Sequence, residues 1–248
     1  MPFIPLGLRL VKPRPYVLIN MAMTADGKID TVAREGARIS GTADTARVDR
    51  LRADADAVMV GGRTLLSEDP QLTVRDQALR KDRERDGRPA QPTKVGVVSC
   101  VGRPGEDASM PPDSRFLHDG GGRVVILTSA RTEAAAINQL EEQGAEVLVR
   151  GDERVNLGAA LSALTELGIE RLMVEGGSTL VAALFKARLV DELQLAVAPL
   201  LFGGETAPTP VGGRGWEREE AIGLTLRGTA TSADGDVILN YHVGSAAN

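Results

Sequence analysis

The sequence predicts an α/β fold: a mainly parallel central sheet flanked by helices, with an antiparallel C-terminal edge. Three observations lead there. Nine short runs rich in Val, Ile and Leu are bounded by Gly, Pro or charge, as strands are. Through the middle of the chain these runs alternate with helical patterns, and strand–helix–strand repetition builds parallel pairs. The last runs follow one another without such a helix, which suits antiparallel pairing.

In order, the strands expected are residues 16–23, 57–61, 94–99, 123–128, 146–149, 171–175, 192–198, 223–230 and 236–243. A helix over 42–53 has Thr42 as N-cap candidate and apolar Ala46, Val48 and Leu51. A helix over 132–143 stops at Gly144, a good residue just past a helix end. The helix over 157–167 starts after Asn156, an N-cap candidate, and stops at Gly168. The helix over 178–186 begins directly after Gly176-Gly177. The turn TSADGD (231–236) closes a terminal hairpin. Residues 1–14 read as an N-terminal extension, with prolines at positions 2, 5 and 13. Residues 75–92 carry six basic and four acidic side chains and no apolar face of useful width. They read as a surface loop or frayed helix, with a lid or guide for an anionic substrate as the alternative. Residues 102–122 read as a second surface loop.

The 248 residues fit one large α/β domain or two small ones, and read as a single domain. A net charge of −5 argues for neither a nucleic-acid nor a membrane surface, and no apolar run approaches the ~20 residues of a membrane span. The N-terminus lacks the apolar core of a signal peptide, so a cytoplasmic setting is expected. One cysteine, Cys100, and two histidines, His118 and His242, rule out an internal disulfide and leave too few ligands for a structural zinc site. Neither histidine sits among partners for Ser-His-Asp catalysis. No metal is expected. The chemistry is then expected to belong to an organic cofactor.

The apolar run LINMAMTADGKID (18–30) ends abruptly in a polar Asp-Gly turn. Three further stretches carry an apolar run into paired glycines: AVMVGGRTLLSEDPQLTV (57–74), RLMVEGGSTL (171–180) and APLLFGGETAP (198–208). Strand ends that open onto glycines suggest a nucleotide site. In VEGGSTL, Gly176 and Gly177 allow close backbone approach, and the helix starting at Ser178 and Thr179 offers free N–H groups and its dipole to a pyrophosphate. A tight strand-to-helix turn is the plainer alternative. Neither the dinucleotide fingerprint G-x-G-x-x-G after a strand nor a P-loop occurs. Thr64 and Ser67 are short donors near a helix start. Glu68 and Asp69 are adjacent carboxylates that either cap a solvated helix end or serve as general acid/base in a cleft. Asn20 is a polar residue inside a buried run; it either pairs in the core or reads a polar heterocycle.

These stretches taken together, N-M-A-M-T-x-D-G-K, R-I-S, L-R-A-D-A-D-A-V-M-V-G, T-L-L-x-E-D-P-x-L-T-V, V-E-G-G-S-T-L, L-V-D-E-L and A-P-x-L-F-G-G, resemble in order the riboflavin-pathway pyrimidine reductases. The resemblance runs from about residue 15 to 243. It implies a dihydrofolate-reductase-like fold and NADPH-dependent reduction of the ribosyl group of a (di)amino-ribosylamino-pyrimidine 5′-phosphate to ribityl, usually by a homodimer.

The resemblance also implies roles. Ala22, Thr64, Glu68, Ser99 and Arg103 would touch the cofactor, and Gly176, Gly177, Ser178 and Thr179 would hold its phosphates. Asn20, Arg52, Leu72, Arg75 and Glu175 would meet the substrate. Arg52 and Arg75 suit a sugar phosphate, because arginine donates in a bidentate fork, and Glu175 suits an exocyclic amine. Arg103 suits the 2′-phosphate that distinguishes NADPH. Glu68 would assist proton movement, although the family usually has Asp-Asp-Pro where this chain has Glu68-Asp69-Pro70; Asp69 is the reserve candidate. Bifunctional relatives add a zinc deaminase domain with an H-x-E…P-C-x-x-C signature, which one cysteine cannot supply, so a stand-alone reductase is expected. Whether the ring is deaminated stays open. The competing readings are a reductase of another small heterocycle, such as a pterin or folate, a catalytically silent NADPH-binding homologue, and a structural domain.

Overall fold

The computed structural model describes residues 14–102 and 109–244. All nine strands are present: β1 (Tyr16–Thr24), β2 (Ala57–Gly61), β3 (Thr93–Val97), β4 (Val124–Thr128), β5 (Glu146–Val149), β6 (Arg171–Val174), β7 (Glu192–Ala198), β8 (Leu224–Thr231) and β9 (Val237–Val243). They form one sheet in the order β5-β4-β3-β2-β6-β1-β7-β9-β8. Every neighbouring pair from β5 to β7 is parallel. Strand β9 runs antiparallel to both β7 and β8, which makes the expected antiparallel edge.

The helices are α1 (Thr42–Asp54), α2 (Gly62–Glu68), α3 (Gln77–Arg85), α4 (Arg115–His118), α5 (Ala134–Glu142), α6 (Leu157–Glu166) and α7 (Ser178–Lys186). Alternate strand residues point to opposite faces, and each face has its own core. Val17, Ile19, Met59 and Val174 pack against Leu161 and Leu164 of α6 and Leu180, Val181 and Leu184 of α7. On the other face Val58, Val60 and Ile126 pack against Leu65 of α2, Phe116 of α4 and Leu140 of α5, with Val48 and Leu51 of α1 at the margin. Both faces of the parallel strands are therefore covered, which is why those strands read as continuous apolar runs.

Four local expectations change. Thr42 is the first residue of α1, not its cap. Gly41 takes the cap position, and the cap comes from across the fold: Asp234, in the β8–β9 turn, accepts from the Ala43 amide at 2.6 Å. Thr132 stays outside α5, because its hydroxyl holds Thr128 at 2.5 Å and accepts from the Val101 amide at 3.1 Å. Residues 75–92, read as a surface loop or frayed helix, contain the helix α3, capped by Asp76, whose side chain accepts from the Ala78 amide. What docks α3 is Arg83, only 2% exposed, whose Nη1 donates to the Ala53 and Ala55 carbonyls at the end of α1 and whose Nε donates to the Pro89 carbonyl. The 102–122 stretch likewise includes the short helix α4.

Candidate active site

Two glycine turns meet because β2 and β6 are neighbours, with Met59 beside Val174. The Glu175 amide donates to the Met59 carbonyl at 3.0 Å, and the Gly61 amide donates to the Gly176 carbonyl at 2.8 Å. Both strands then enter helices, α2 and α7. Gly176 has φ +112°, a backbone region that favours glycine, and the Gly176–Gly177 peptide is cis. A Cβ on Gly177 would lie 3.1 Å from Thr64 Oγ1, and one on Gly61 would lie 3.1 Å from Leu180 Cβ. The glycines therefore let the two helix starts close on each other. In α7 the first intrahelical bond is donated by Val181 to Gly177, so the Ser178, Thr179 and Leu180 amides precede the ladder. Free N–H groups at a helix start are suited to an anion.

That turn opens into a cleft of about 990 Å³, lined by Gly61, Thr64, Ser67, Glu68, Ser99, Gly177, Ser178 and Thr179. Arg63 and Arg154 also line it, and neither guanidinium has a hydrogen-bond or ion-pair partner among the described residues. Sequence reading missed both. Arg154 stands in a polar loop whose place beside the cleft is set only when β5 comes to rest at the sheet edge. Arg103, expected at the 2′-phosphate, lies outside the described residues.

A second cleft, of about 640 Å³, adjoins the first and shares Ile29, Ala37, Thr64, Glu68 and Gly177 with it. Asn20, Arg52, Arg75 and Glu175, all expected at the substrate, line this second cleft together. Arg52 does not stand free: its Nε and Nη2 donate to the two Glu175 oxygens at 2.6 and 2.7 Å, and its Nη1 donates to the Thr73 carbonyl at 3.0 Å. The fork is thus committed to Glu175, so the expected phosphate clamp is narrowed to Arg75. Arg75 is exposed at the rim, and its guanidinium is unpartnered among the described residues. Asp49 fixes its backbone by accepting from the Arg75 and Asp76 amides at 2.8 and 2.7 Å.

Glu68, the last residue of α2, stands where the two clefts meet. The residue is exposed and lines both clefts. Desolvation of its carboxyl pushes its pKa above the usual carboxylate range, the neighbouring Asp30 charge adds to this, and a hydrogen bond from Thr64 opposes it. Asp30 behaves oppositely. Burial alone would raise it, but the Ala37, Gly36 and Thr31 amides outweigh burial and hold it below the usual range.

Four expectations change. Asp69 is not a catalytic reserve: it turns away in a left-handed conformation, and its oxygens accept from Ser114 Oγ and the Arg115 and Phe116 amides, capping α4. Leu72 is 2% exposed and packs in a core, lining neither cleft. Ala22, expected at the cofactor, lines the second cleft. The third glycine turn wraps Asp26: the Phe202 and Gly203 amides donate to its carboxylate, so this turn anchors the 24–30 loop. No cluster of side chains suited to a metal ion exists among the described residues.

A parallel sheet that feeds a glycine-opened helix start, with a polar cleft beside it, is an arrangement suited to a phosphorylated ligand next to a small polar molecule. The chain belongs to the RibD C-terminal domain family, whose model matches residues 15–239. It is 39% identical over 223 residues to the 2,5-diamino-6-ribosylamino-4(3H)-pyrimidinone 5′-phosphate reductase of Archaeoglobus fulgidus, covering 88% of this chain and 98% of that one. It is 42% identical over 233 residues to the protein of the same name from Methanothermobacter thermautotrophicus, covering 93% and 99%. The crystal structure of a pyrimidine reductase-like protein from Corynebacterium diphtheriae shares the fold, with TM-score 0.75 at 20% identity over 94% of this chain and 93% of that one.

Proposed function

We propose that this chain reduces the ribosyl group of 2,5-diamino-6-ribosylamino-4(3H)-pyrimidinone 5′-phosphate to ribityl, with NADPH as cofactor. The observation that carries the reading is the meeting of the two clefts at Thr64, Glu68 and Gly177, one beside an anion-binding helix start and the other lined by Asn20, Arg75 and Glu175. The names of the two relatives support the undeaminated ring.

The residues fit such a cofactor. The Gly176-Gly177 turn leaves room for a pyrophosphate that any Cβ at Gly177 would narrow, and Ser178 and Thr179 supply amides to it. Among the described residues, Arg63 and Arg154 are unpartnered cations of that cleft and would favour NADPH over NADH through its extra phosphate. When bound, the cofactor supplies a hydride. The remaining work belongs to the side chains. Arg75 holds the sugar phosphate. Glu175, fixed by Arg52, accepts from an exocyclic amine of the ring. The ribosylamine must open to an imine before its C1′ can be reduced, and opening requires a proton at the ring oxygen. Glu68 is placed to hold that proton, because its raised pKa keeps the carboxyl a donor to higher pH than usual. The walls orient two reactants and exclude water.

A homodimer and a cytoplasmic setting are part of the proposal. The outermost strand β8 is exposed along most of its length, with Leu224 and Leu226 open to solvent, and a second copy would cover such an edge. No helix among the described residues is long and apolar enough to cross a membrane. The test is NADPH oxidation by the purified protein with the diamino substrate, with dihydrofolate as the competing substrate. Turnover of the first and not the second is expected; the reverse would replace the pyrimidine with a folate.

A further inference from the structure

Six buried side-chain polar atoms lack a hydrogen-bond partner among the described residues, and four belong to residues grouped around one spot: Asn20 Oδ1, Asp44 Oδ2, Arg47 Nη2 and Asn240 Oδ1. The sheet register explains the grouping. Asn20 on β1 lies beside Gln194 on β7, which lies beside Asn240 on β9. Three amide side chains therefore cross three strands in one row. Helix α1 lays a charged pair over that row: Arg47 Nη1 donates to Gln194 Oε1 at 2.9 Å, and Arg47 Nε donates to Asp44 Oδ1 at 2.7 Å. Asp44 is 1% exposed and Asn20 is 6% exposed, and both line the second cleft.

Buried polar groups in native proteins find partners, so a concentration of unpaired ones beside a cleft points to a ligand. Of the four residues, Asn20 and Asp44 line the cleft, and the unpaired atom of each is an oxygen that accepts, so a ligand there would donate. Both Asp49 oxygens accept backbone amides, each Glu175 oxygen already accepts one bond from Arg52, and Glu68 is shared with the first cleft. Asp44 Oδ2 is a buried carboxylate oxygen with no hydrogen-bond partner among the described residues, on a residue that lines this cleft.

We infer that Asp44, oriented by Arg47, is the residue that selects the pyrimidine ring at its position 2. This deepens the proposed function and rests on it. An undeaminated ring carries an amino group there, which donates to a carboxylate. A deaminated ring carries a carbonyl, whose lone pairs would face the carboxylate oxygen. A site built to accept a hydrogen bond rejects an analogue that cannot donate far more strongly than an apolar pocket rejects a change of size.

The test compares kcat/KM for the diamino and the deaminated ribosylamino pyrimidine phosphates, in the wild-type enzyme and in Asp44→Asn. The wild type is expected to prefer the diamino form by roughly 100-fold or more. Asp44→Asn presents a side-chain N–H₂ of nearly the same shape, so the ratio is expected to fall to within about tenfold of unity, through a higher KM for the diamino form and a lower one for the deaminated form, with NADPH affinity unchanged. Equal loss on both substrates would mean that Asp44 only supports the fold, and would overturn the inference. So would a wild type that uses both rings equally, while leaving the reductase reading intact. Turnover of neither ring would overturn the reductase reading, and the inference with it. Binding of 2,5,6-triamino-4-pyrimidinone and of 5,6-diaminouracil to the wild-type protein, followed by calorimetry, gives the same answer without a variant. Tighter binding of the triamino base supports the assignment, and equal binding removes it.

Discussion

Arg52 and Glu175 face each other through two near-parallel hydrogen bonds of 2.6 and 2.7 Å, although they are far apart in sequence. One stands near the end of α1 and the other at the end of β6, and both are about 15% exposed or less. Such forks are strong and directional. The pair turns a flexible glutamate into a fixed acceptor on the cleft wall. Arg52→Ala is expected to lower stability by about 3 kcal/mol, because it leaves a largely enclosed carboxylate without its partner. Glu175→Gln is expected to raise the KM for the pyrimidine roughly 10- to 100-fold while NADPH affinity stays the same, since a lost hydrogen bond to a charged group has about that effect. Thermal unfolding and steady-state kinetics of the two variants check this.

Glu68 gives a signature in pH. Its folded pKa is raised, so the protonated form persists above the usual carboxylate range. If that form donates the proton, kcat declines as pH rises through the folded pKa. Glu68→Gln is expected to lower kcat roughly 100-fold and to abolish that decline. Stability shifts the other way. A carboxyl with a raised pKa disfavours the folded state once pH exceeds its unfolded pKa, so the glutamine variant is expected to melt higher than the wild type at neutral pH. A pH–rate profile and melting curves of both proteins test the two signs together.

Asp69, next in sequence, is expected to behave in the opposite manner. Its three hydrogen bonds cap α4, and its pKa is lowered: burial would raise it, but the Phe116 amide, the Ser114 hydroxyl and the Arg115 amide outweigh burial. Its contribution to stability is present above the unfolded carboxylate pKa and is lost as pH falls through the folded value. Asp69→Ala is expected to cost about 1–2 kcal/mol, as loss of a helix cap does, with kcat largely retained. Denaturant titration beside an activity assay separates the roles of the two neighbours.

Arg154 is expected to set cofactor choice. Arg154→Ala should weaken NADPH binding roughly tenfold or more and leave NADH binding nearly unchanged, because the two differ by one phosphate that a free guanidinium can grip. Titration with both cofactors decides it.

Much of this was legible in the sequence, and the parts that were not share a cause. The nine strands show because both sheet faces are buried and their runs are apolar. The glycine turns show because few other features place Gly-Gly at strand ends. Asn20, Arg75 and Glu175 entered through family resemblance, and the fold brings them to the wall of one cleft. Helix α3 was hidden because its buried anchor is Arg83, a charge where periodicity looks for an apolar face. The cap on α1 was hidden because Asp234 is supplied by a turn at the other end of the chain. Asp44 and Arg47 read as an ordinary pair three residues apart on a helix. Their meaning depends on the amide row beneath them, of which only Asn20 stood out as odd within its run.

The most direct test of the account is the fate of the hydride. NADPH deuterated at the transferring carbon would be incubated with the enzyme and the diamino ribosylamino pyrimidine phosphate, and the product examined by nuclear magnetic resonance. One deuterium on C1′ of a newly formed ribityl chain is expected. Deuterium on the pyrimidine ring, or NADPH bound but unconsumed, would contradict it.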